Sequence, residues 1–242
     1  MTRRTGPRLA AAGPAAADSS GREPPRSARG ARTRARLVAA ARTVFERDGY
    51  LDSRVTDISA EARTATGSFY TYFDSKEDIF ATVLAELQDD MLHQHIQEVV
   101  DSDDPRAVIE ASNRAYLLSY QRNAKLMRLL EQVSTIDERV CELRHKRAQA
   151  FVERNAHSIR GLQARGLADP DLDAVLTATA LSSMVSRVAY INYVVGEVWE
   201  IKELVEGLTR LWVNALGIGQ AARSSPSVGG AKPNSAGGAA PE

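Results

Sequence analysis

The sequence predicts an all-α protein of about nine helices. Apolar residues recur three and four positions apart over most of the chain, which is the period of one helical face. Capping signals stand where the periodic segments begin, as at Ser75 with Asp78 three residues later. No long alternation of apolar and polar residues competes with this pattern, so strands are not expected.

The predicted helices run in order from residue 32 to residue 217. The first covers 32–49, the second starts at Val55, and the third starts near Thr66 and carries Phe69 and Phe73 on one face. A long fourth helix extends from Ser75 to about position 100, where the segment DSDDP ends it. Later helices are predicted to begin near Pro105, Lys125, Glu138, Leu172 and Val198.

Composition excludes several classes of protein. The 242 residues include 31 basic and 31 acidic side chains and are 43% hydrophobic, which is typical of a globular chain. The single cysteine, Cys141, excludes an intramolecular disulfide framework. Neither a secretory signal nor a run of about 18 uncharged apolar residues is present, so we expect a cytoplasmic protein without a membrane partner.

Zero net charge conceals an uneven distribution. Residues 1–80 hold 14 basic and 10 acidic side chains, but residues 32–80 hold 8 of each. The excess comes from the leader at 1–30, with 6 arginines against 2 acidic residues. This leader is either a basic arm that contacts DNA phosphates or a solvated segment without a role.

Three short helices in succession, the last two joined by a tight turn, favour a helix-turn-helix. Such a motif needs apolar residues that face the core and short polar residues that enter the major groove of DNA. The segment from Thr66 to Phe73 meets both needs, because Phe69 and Phe73 face inward and the polar residues between them remain outside. Gly67 lacks a side chain where DNA could come close.

The chain resembles the TetR family of transcriptional regulators. The resemblance rests on motifs in family order and spacing: Phe45, Gly49-Tyr50, Val55-Thr56-Asp57-Ile58, Gly67-Ser68-Phe69-Tyr70, Tyr72-Phe73 and Ser75-Lys76-Glu77. It covers about 50 residues closely. By position, the resemblance implies that DNA is contacted by Thr56, Thr66, Gly67, Ser68, Tyr70, Thr71, Tyr72 and Lys76.

The chain departs from the family pattern in the turn. Arg63-Thr64-Ala65 replaces the usual Gly-Val-Ser, so a left-handed turn position and a helix N-cap are both altered. We expect Arg63 to add a phosphate contact. Arg54 likewise replaces a usual cap of the second helix, a role for which Ser53 is the substitute.

Composition, which predicts the two tails, and the resemblance together divide the chain into four segments. These are a flexible Arg/Ala/Pro-rich tail at 1–31, a helix-turn-helix DNA-binding domain at 32–78, an effector-binding and dimerisation domain at 79–218, and a disordered tail at 219–242. We expect the last two helices, at about 172–196 and 198–216, to form a homodimer through the stripe Ile201-Leu204-Leu208-Leu211-Ala215. Packing within one subunit is the alternative.

A ligand pocket is expected between the central helices. Its candidate residues are aromatic or apolar with one cation: Tyr116, Tyr120, Met127, Leu130, Phe151, Arg187 and Tyr190. Arg187 either binds an acidic effector or lies at the rim of a subunit interface, paired with a glutamate. Cys141 with His145, and His93 with His95, lack the convergent ligands of a zinc site, so no metal and no cofactor are expected.

These observations predict a TetR-like repressor that binds a palindromic operator and is released by a small hydrophobic effector. The effector is expected to move the fourth helix, which joins both domains, so that the half-site spacing no longer fits. One alternative is a dimeric DNA-binding regulator without an effector. Another is an all-α enzyme with an incidental helix-turn-helix, although the sequence offers no catalytic set of residues.

Overall fold

The computed structural model describes residues 27–97, 103–196 and 199–219, with the backbone alone at 88–90 and 92–97. These residues form nine α-helices and no strand, which confirms the all-α prediction. The helices are α1 (Ala28–Asp52), α2 (Val55–Glu61), α3 (Thr66–Tyr72), α4 (Lys76–Gln97), α5 (Pro105–Arg122), α6 (Ala124–Val133), α7 (Glu138–Ala164), α8 (Ala174–Tyr190) and α9 (Ile201–Ala215). The predictions for the leader before Ser27 and for the tail after Gly219 lie outside the described residues.

The first helix begins inside the segment predicted as a tail. Ser27 is its N-cap, and the Ser27 hydroxyl accepts a hydrogen bond from the Gly30 N–H at 3.1 Å. The helix therefore starts at Ala28, four residues before the predicted Arg32. Gly49 breaks it as predicted, with a φ of +81° inside the last turns.

Helices α1 to α3 share a small aromatic and aliphatic core. Leu37, Phe45, Ile58, Phe69 and Phe73 are completely or almost completely buried. Phe80 at the start of α4 extends this core, with its ring 4.9 Å from that of Phe45 and 4.6 Å from that of Tyr50. The DNA-binding domain is thus packed directly on the helix that leads to the rest of the molecule.

Helix α4 begins at the predicted cap. The Ser75 hydroxyl accepts a hydrogen bond from the Asp78 N–H at 3.2 Å, and the Asp78 carboxylate accepts one from the Asp74 N–H at 3.0 Å. From there α4 packs against α1, α5 and α7. It therefore joins the two parts of the chain, as predicted.

Helices α5 to α9 form the C-terminal body. Helix α7 packs along α8, and α5 packs along α9, where the Asn113 amide donates to the Thr209 hydroxyl at 3.2 Å inside the core. Helix α8 continues as a π-helical turn (Ile191–Val195) and ends at Gly196, which has a φ of +108°. Helix α9 starts at Ile201, where Glu200 and Glu203 form a capping box.

The outer face of α8 exposes large apolar side chains at its start, Val175 and Leu176. By length and composition, the segment Ala174–Val195 could cross a membrane if its one charge, Arg187, is allowed, and 28% of that window is buried in the single chain. Its exposed face also carries Thr179, Ser183 and Arg187, which hydrocarbon would disfavour. Such a face is better suited to another protein surface.

The predicted dimer stripe on α9 is partly wrong. Leu204 and Leu208 are buried inside the subunit, because the face of α9 that carries them packs against α5. Leu211 and Ala215 are exposed, as the stripe requires. On α8 the exposed large apolar residues are Val175 and Leu176.

Candidate functional site

The turn between α2 and α3 is a regular Schellman motif despite its unusual sequence. The Thr64 N–H donates to the Ser59 carbonyl at 2.9 Å, and the Arg63 N–H donates to the Ala60 carbonyl at 3.0 Å. Arg63 occupies the left-handed position with a φ of +52°, the one non-glycine residue described with a positive φ. The turn geometry is therefore retained, at the cost of a strained arginine.

Neither short helix of the motif has a side-chain cap. Ala65 precedes α3 and Arg54 precedes α2, and neither side chain makes a cap hydrogen bond. Ser53 does not substitute for a cap: its buried hydroxyl donates to the Tyr50 carbonyl at 2.8 Å. The motif is consequently stabilised by its core rather than by side-chain caps at the starts of its helices.

The residues predicted to contact DNA lie mostly on the outer surface of this motif. Exposed positions are Thr56, Arg63, Thr66, Gly67, Tyr70 and Thr71, whereas Ser68, Tyr72 and Lys76 are half-buried. A Cβ added at Gly67 would meet no atom within 4 Å, so internal packing does not require glycine there. Contact with DNA at these positions stays a prediction.

Lys76 has a structural role that sequence reasoning missed. Its ammonium donates to the carbonyls of Tyr50 at 2.7 Å, Ser53 at 3.0 Å and Leu51 at 3.4 Å, and lies 4.6 Å from the Tyr50 ring centroid. An ammonium has three donors. All three are therefore directed at the end of α1, which fastens α1 to the start of α4.

Tyr50 reinforces the same junction. Its hydroxyl donates to the Glu77 carboxylate at 3.1 Å. Burial, together with the neighbouring Glu77 charge, raises the pKa of Tyr50 above its ordinary value. The phenol thus remains protonated and continues to donate across the physiological pH range.

A cavity of about 650 Å³ lies in the C-terminal body, between α5, α6, α7, α8 and α9. Six of the seven predicted ligand-binding residues line it: Tyr116, Met127, Leu130, Phe151, Arg187 and Tyr190. The seventh, Tyr120, is buried outside its wall and stacks on Tyr193 with ring centroids 6.4 Å apart. The volume is in the range of small-molecule sites. Ligand binding by these residues remains a prediction.

Several arginines of the cavity wall were not predicted, and two of them, both on α7, have unusual surroundings. Arg147 is buried, and its guanidinium donates to the thioether sulfurs of Met127 at 2.9 Å and Met91 at 2.8 Å. Arg154 lies 5.0 Å from the centroid of the Phe151 ring, and its Nη1 is buried without a hydrogen-bond partner. Burial lowers the pKa of the Arg154 guanidinium to about 10, so it is still charged at neutral pH.

The spacing of these arginines in the sequence already placed them on one face of a helix, together with apolar residues. Val140, Arg147, Phe151 and Arg154 are separated by seven, four and three residues, which is the period of one helical face. An arginine at an apolar position of a helix indicates either a snorkelling side chain or a buried cation. The structure places both arginines against the cavity.

Arg187 lines the same cavity from α8. It is exposed, and its guanidinium lies 5.1 Å from the centroid of the Tyr190 ring. No ion pair with a glutamate is seen for it within the part of the chain that the structure describes. The single subunit thus gives no support to the paired-rim interpretation.

One side-chain hydrogen bond links the body directly to α1, and two others tie the cavity wall to α4 and α6. Arg42 of α1 donates to the Asn123 side chain at 2.7 Å, at the junction of α5 and α6. Arg147 joins the cavity wall to Met91 of α4 and Met127 of α6. Both α4 and α6 therefore pack against the DNA-binding domain on one side and are tied to the cavity wall on the other.

Cys141 and His145 are both exposed and lie at the cavity mouth. Among the residues that the structure describes, no group of three His, Cys, Asp or Glu side chains could hold a metal ion. The side chains of His93 and His95 lie outside the described set.

Comparison with known proteins identifies the family. An "HTH-type transcriptional repressor SCO4008" from Streptomyces coelicolor is 33% identical over 155 residues, which cover 61% of this chain and 76% of the relative. Residues 37–83 match the family described as "Bacterial regulatory proteins, tetR family". The chain belongs to the TetR family. Residues 108–217 of this TetR-family protein also match the "Transcriptional regulator EthR, C-terminal domain".

Two further relatives extend the TetR-family likeness over most of the chain. The "HTH-type transcriptional regulator EthR" of Mycobacterium tuberculosis is 25% identical over 184 residues, covering 74% of this chain and 85% of the relative. A solved structure of a putative transcriptional regulator from Saccharomonospora viridis, in complex with choline, has a TM-score of 0.65 at 21% identity. It covers 76% of this chain and 96% of its own. The protein is thus a helix-turn-helix transcriptional regulator of the TetR family.

Proposed function

We propose that this protein is a ligand-responsive repressor that leaves its operator when a small molecule enters the cavity of the C-terminal body. The observation that carries this proposal is the position of the cavity. Met127 and Leu130 place α6 in its wall, and Arg147 ties that wall to α4. A molecule that fills the cavity acts on the two helices that support the DNA-binding domain.

The proposed DNA-bound state is a homodimer on a palindromic operator. Two recognition helices α3, related by a twofold axis, would enter major grooves about 34–36 Å apart or a multiple of that distance. The surface that would join the two subunits is the face of α8 and α9 that exposes Val175, Leu176 and Leu211. A regulator that acts on bacterial DNA works in the cytoplasm.

Release follows from a population shift. The effector must bind more tightly to a geometry that does not fit the operator, because equal affinity for both geometries shifts nothing. The link from Arg42 to Asn123 and the packing of α4 on α1 would carry the change to α3. The Saccharomonospora viridis regulator crystallised with choline supports the view that this fold accommodates small molecules.

The proposal is tested in two steps with the purified full chain. Selection of bound genomic DNA fragments first gives the operator, and fluorescence anisotropy then follows its release by candidate effectors. Ser186 lines the cavity from α8, so Ser186→Phe should abolish the response to effector while operator binding persists. Thr135→Phe, at an exposed turn outside the cavity, is the matched control. An operator complex that no cavity-binding molecule releases would favour the regulator without an effector.

A further inference from the structure

The cavity wall holds more cationic than anionic side chains. Five arginines line it, at positions 144, 147, 154, 165 and 187, against two carboxylates, Asp103 and Glu131. Glu131 is already paired with Arg144 at 2.9 Å. The remaining arginines therefore give the cavity an excess of positive charge among the side chains that the structure describes.

Arg147 and Arg154 are the two cavity-lining cations whose donor groups are least supplied with hydrogen-bond acceptors. Arg147 is 7% exposed, and its two hydrogen bonds are to thioether sulfurs, which are weak acceptors. Arg154 Nη1 has no acceptor. Within the described chain, neither guanidinium forms an ion pair. Buried charges in proteins are ordinarily paired, because an isolated buried charge is costly.

The two guanidinium groups lie close to the same aromatic ring. Arg147 is 5.9 Å and Arg154 is 5.0 Å from the centroid of the Phe151 ring, and all three residues line the cavity. The Trp212 Nε1–H, a further buried donor without a partner, belongs to the same wall. The donors of Arg154 and Trp212 that lack partners thus lie in a wall that combines apolar and aromatic side chains with serine, asparagine and further arginine residues.

We infer that the effector is an apolar molecule with one anionic head group, which Arg147 and Arg154 bind. This inference rests on the proposed function, since it takes the cavity as the effector site, and it replaces a purely hydrophobic effector by an amphipathic acid. A carboxylate or phosphate forms charge-assisted hydrogen bonds that are stronger than those to thioethers. On binding, Arg147 exchanges the sulfurs of Met91 and Met127 for the anion, which loosens the ties of α7 to α4 and α6.

The test uses the full chain with four probes that carry a linear alkyl tail of nine or ten carbons and differ in the head group: decanoate, decyl phosphate, 1-decanol and decyltrimethylammonium. Trp212 lines the cavity, and the second tryptophan, Trp199, lies outside it. In a Trp199→Phe background, the fluorescence of Trp212 therefore reports binding in the cavity. Decanoate or decyl phosphate should bind more tightly than decanol by about 10- to 100-fold, and the cation should bind least.

Arginine variants locate the anion. Arg154→Met and Arg147→Met should each weaken binding of the anionic probe by about 10- to 100-fold and leave decanol binding unchanged. Arg160→Met is the matched control, because Arg160 is exposed on the same helix outside the cavity. A preference for decanoate over decyl phosphate, or the reverse, identifies the head group.

A ligand-free measurement separates a binding role from a structural one. Removing a half-buried charge that forms no ion pair within the described chain should raise the thermal midpoint of Arg154→Met by about 2–4 °C, whereas loss of a structural arginine would lower it. Equal affinity for decanol and the anions, anion binding unchanged in both arginine variants, or no binding of any probe would overturn the inference. If the anion binds but does not release the operator, the proposed function is contradicted, whereas the inference that Arg147 and Arg154 bind an anion still holds.

Discussion

Arg63 occupies a backbone conformation that glycine adopts with less strain. Its φ of +52° lies in the left-handed region, which costs a non-glycine residue about 1–2 kcal/mol. Its side chain is exposed beside the recognition helix. A strained and exposed cation at this position is accounted for if it contacts a DNA phosphate.

The substitution Arg63→Asn tests that contact without disturbing the turn. Asparagine tolerates the left-handed region, so the free energy of unfolding should stay within about 0.5 kcal/mol of the wild type. The slope of log affinity for the operator against log salt concentration should become shallower by about 1.8, the value for two lost phosphate contacts, one from each subunit of the proposed dimer. Arg160→Asn, far from α3, should leave the slope unchanged. An unaltered slope in Arg63→Asn would dismiss the contact.

At Gly67 a single substitution is expected to have opposite effects on stability and on DNA binding. A methyl group added at this position would meet nothing within 4 Å, and glycine is a poor helix former. Gly67→Ala should therefore raise the free energy of unfolding by about 0.5–1 kcal/mol. Operator affinity should fall, because the added methyl group occupies space that DNA would use.

Gly161→Ala on α7 is the control for this change. Its added Cβ also meets open space, so it should bring a similar gain in stability. It lies away from α3 and should leave operator affinity intact in the absence of effector. If Gly67→Ala bound the operator as well as the wild type, close approach of DNA to α3 at this residue would be excluded.

At the scale of helices, the junction between α1 and α4 depends on Lys76. Its ammonium serves three carbonyls at the end of α1 and lies over the Tyr50 ring. Lys76→Met should lower the free energy of unfolding by about 1.5–3 kcal/mol, because these carbonyls lose a charged donor. Chemical denaturation followed by circular dichroism measures this loss.

The same variant distinguishes the junction from a phosphate contact. If Lys76 serves only the junction, the salt slope of operator binding should be unchanged under conditions where the variant is folded. Lys125→Met, at an exposed position on α6, is the control for removal of a lysine charge. A wild-type stability combined with a shallower slope would restore the phosphate role that the family resemblance implies.

Helix positions followed from local signals, whereas roles of individual cations did not. The third helix begins at Thr66 and α5 at Pro105, as the pattern predicts, because apolar period and capping act over a few residues. Arg147 meets sulfurs 20 and 56 residues away in the sequence, and Lys76 meets carbonyls 23 to 26 residues away. Such partners are determined by tertiary packing, which a short stretch of sequence does not reveal.

In the cavity, too, some residues could be predicted from the sequence and others could not. Phe151 and Tyr116 could be predicted to line it, because aromatic residues on central helices are ordinarily buried. Tyr120 could not be separated from them, since it lies one turn further along α5 and only the packed structure shows that it stacks on Tyr193. The donors without partners, Arg154 and Trp212, emerge only when their surroundings are known.

At the scale of the whole molecule, the proposed binding to a palindromic operator requires a second subunit. One α3 reads one half-site, and a palindromic operator gains its affinity from two α3 helices held at fixed spacing. The single chain leaves large apolar side chains on one face of the body: Val175 and Leu176 of α8 are 47% and 69% exposed, and Leu211 of α9 is 50% exposed. Small residues between them, such as Ala180 and Ser183, allow helices to approach closely.

A charge placed on this face should separate the subunits. Leu176→Arg with Leu211→Arg would bury guanidinium groups without partners in a twofold interface, which is strongly unfavourable. Sedimentation velocity should then give the chain mass of 26.3 kDa for the variant and twice that mass for the wild type. Because both positions are exposed in the single chain, the variant should keep its helical circular dichroism spectrum, and operator affinity should fall with loss of the second half-site.

Ile136→Arg provides the matched control. Ile136 is 66% exposed in the turn before α7, away from α8 and α9, so the same change of type there should leave both the dimer and operator binding intact. A double variant that still sediments as a dimer would place the interface elsewhere. A wild-type chain that sediments as a monomer and still binds the operator would contradict the twofold geometry. The proposed release through an altered half-site spacing would then fail as well.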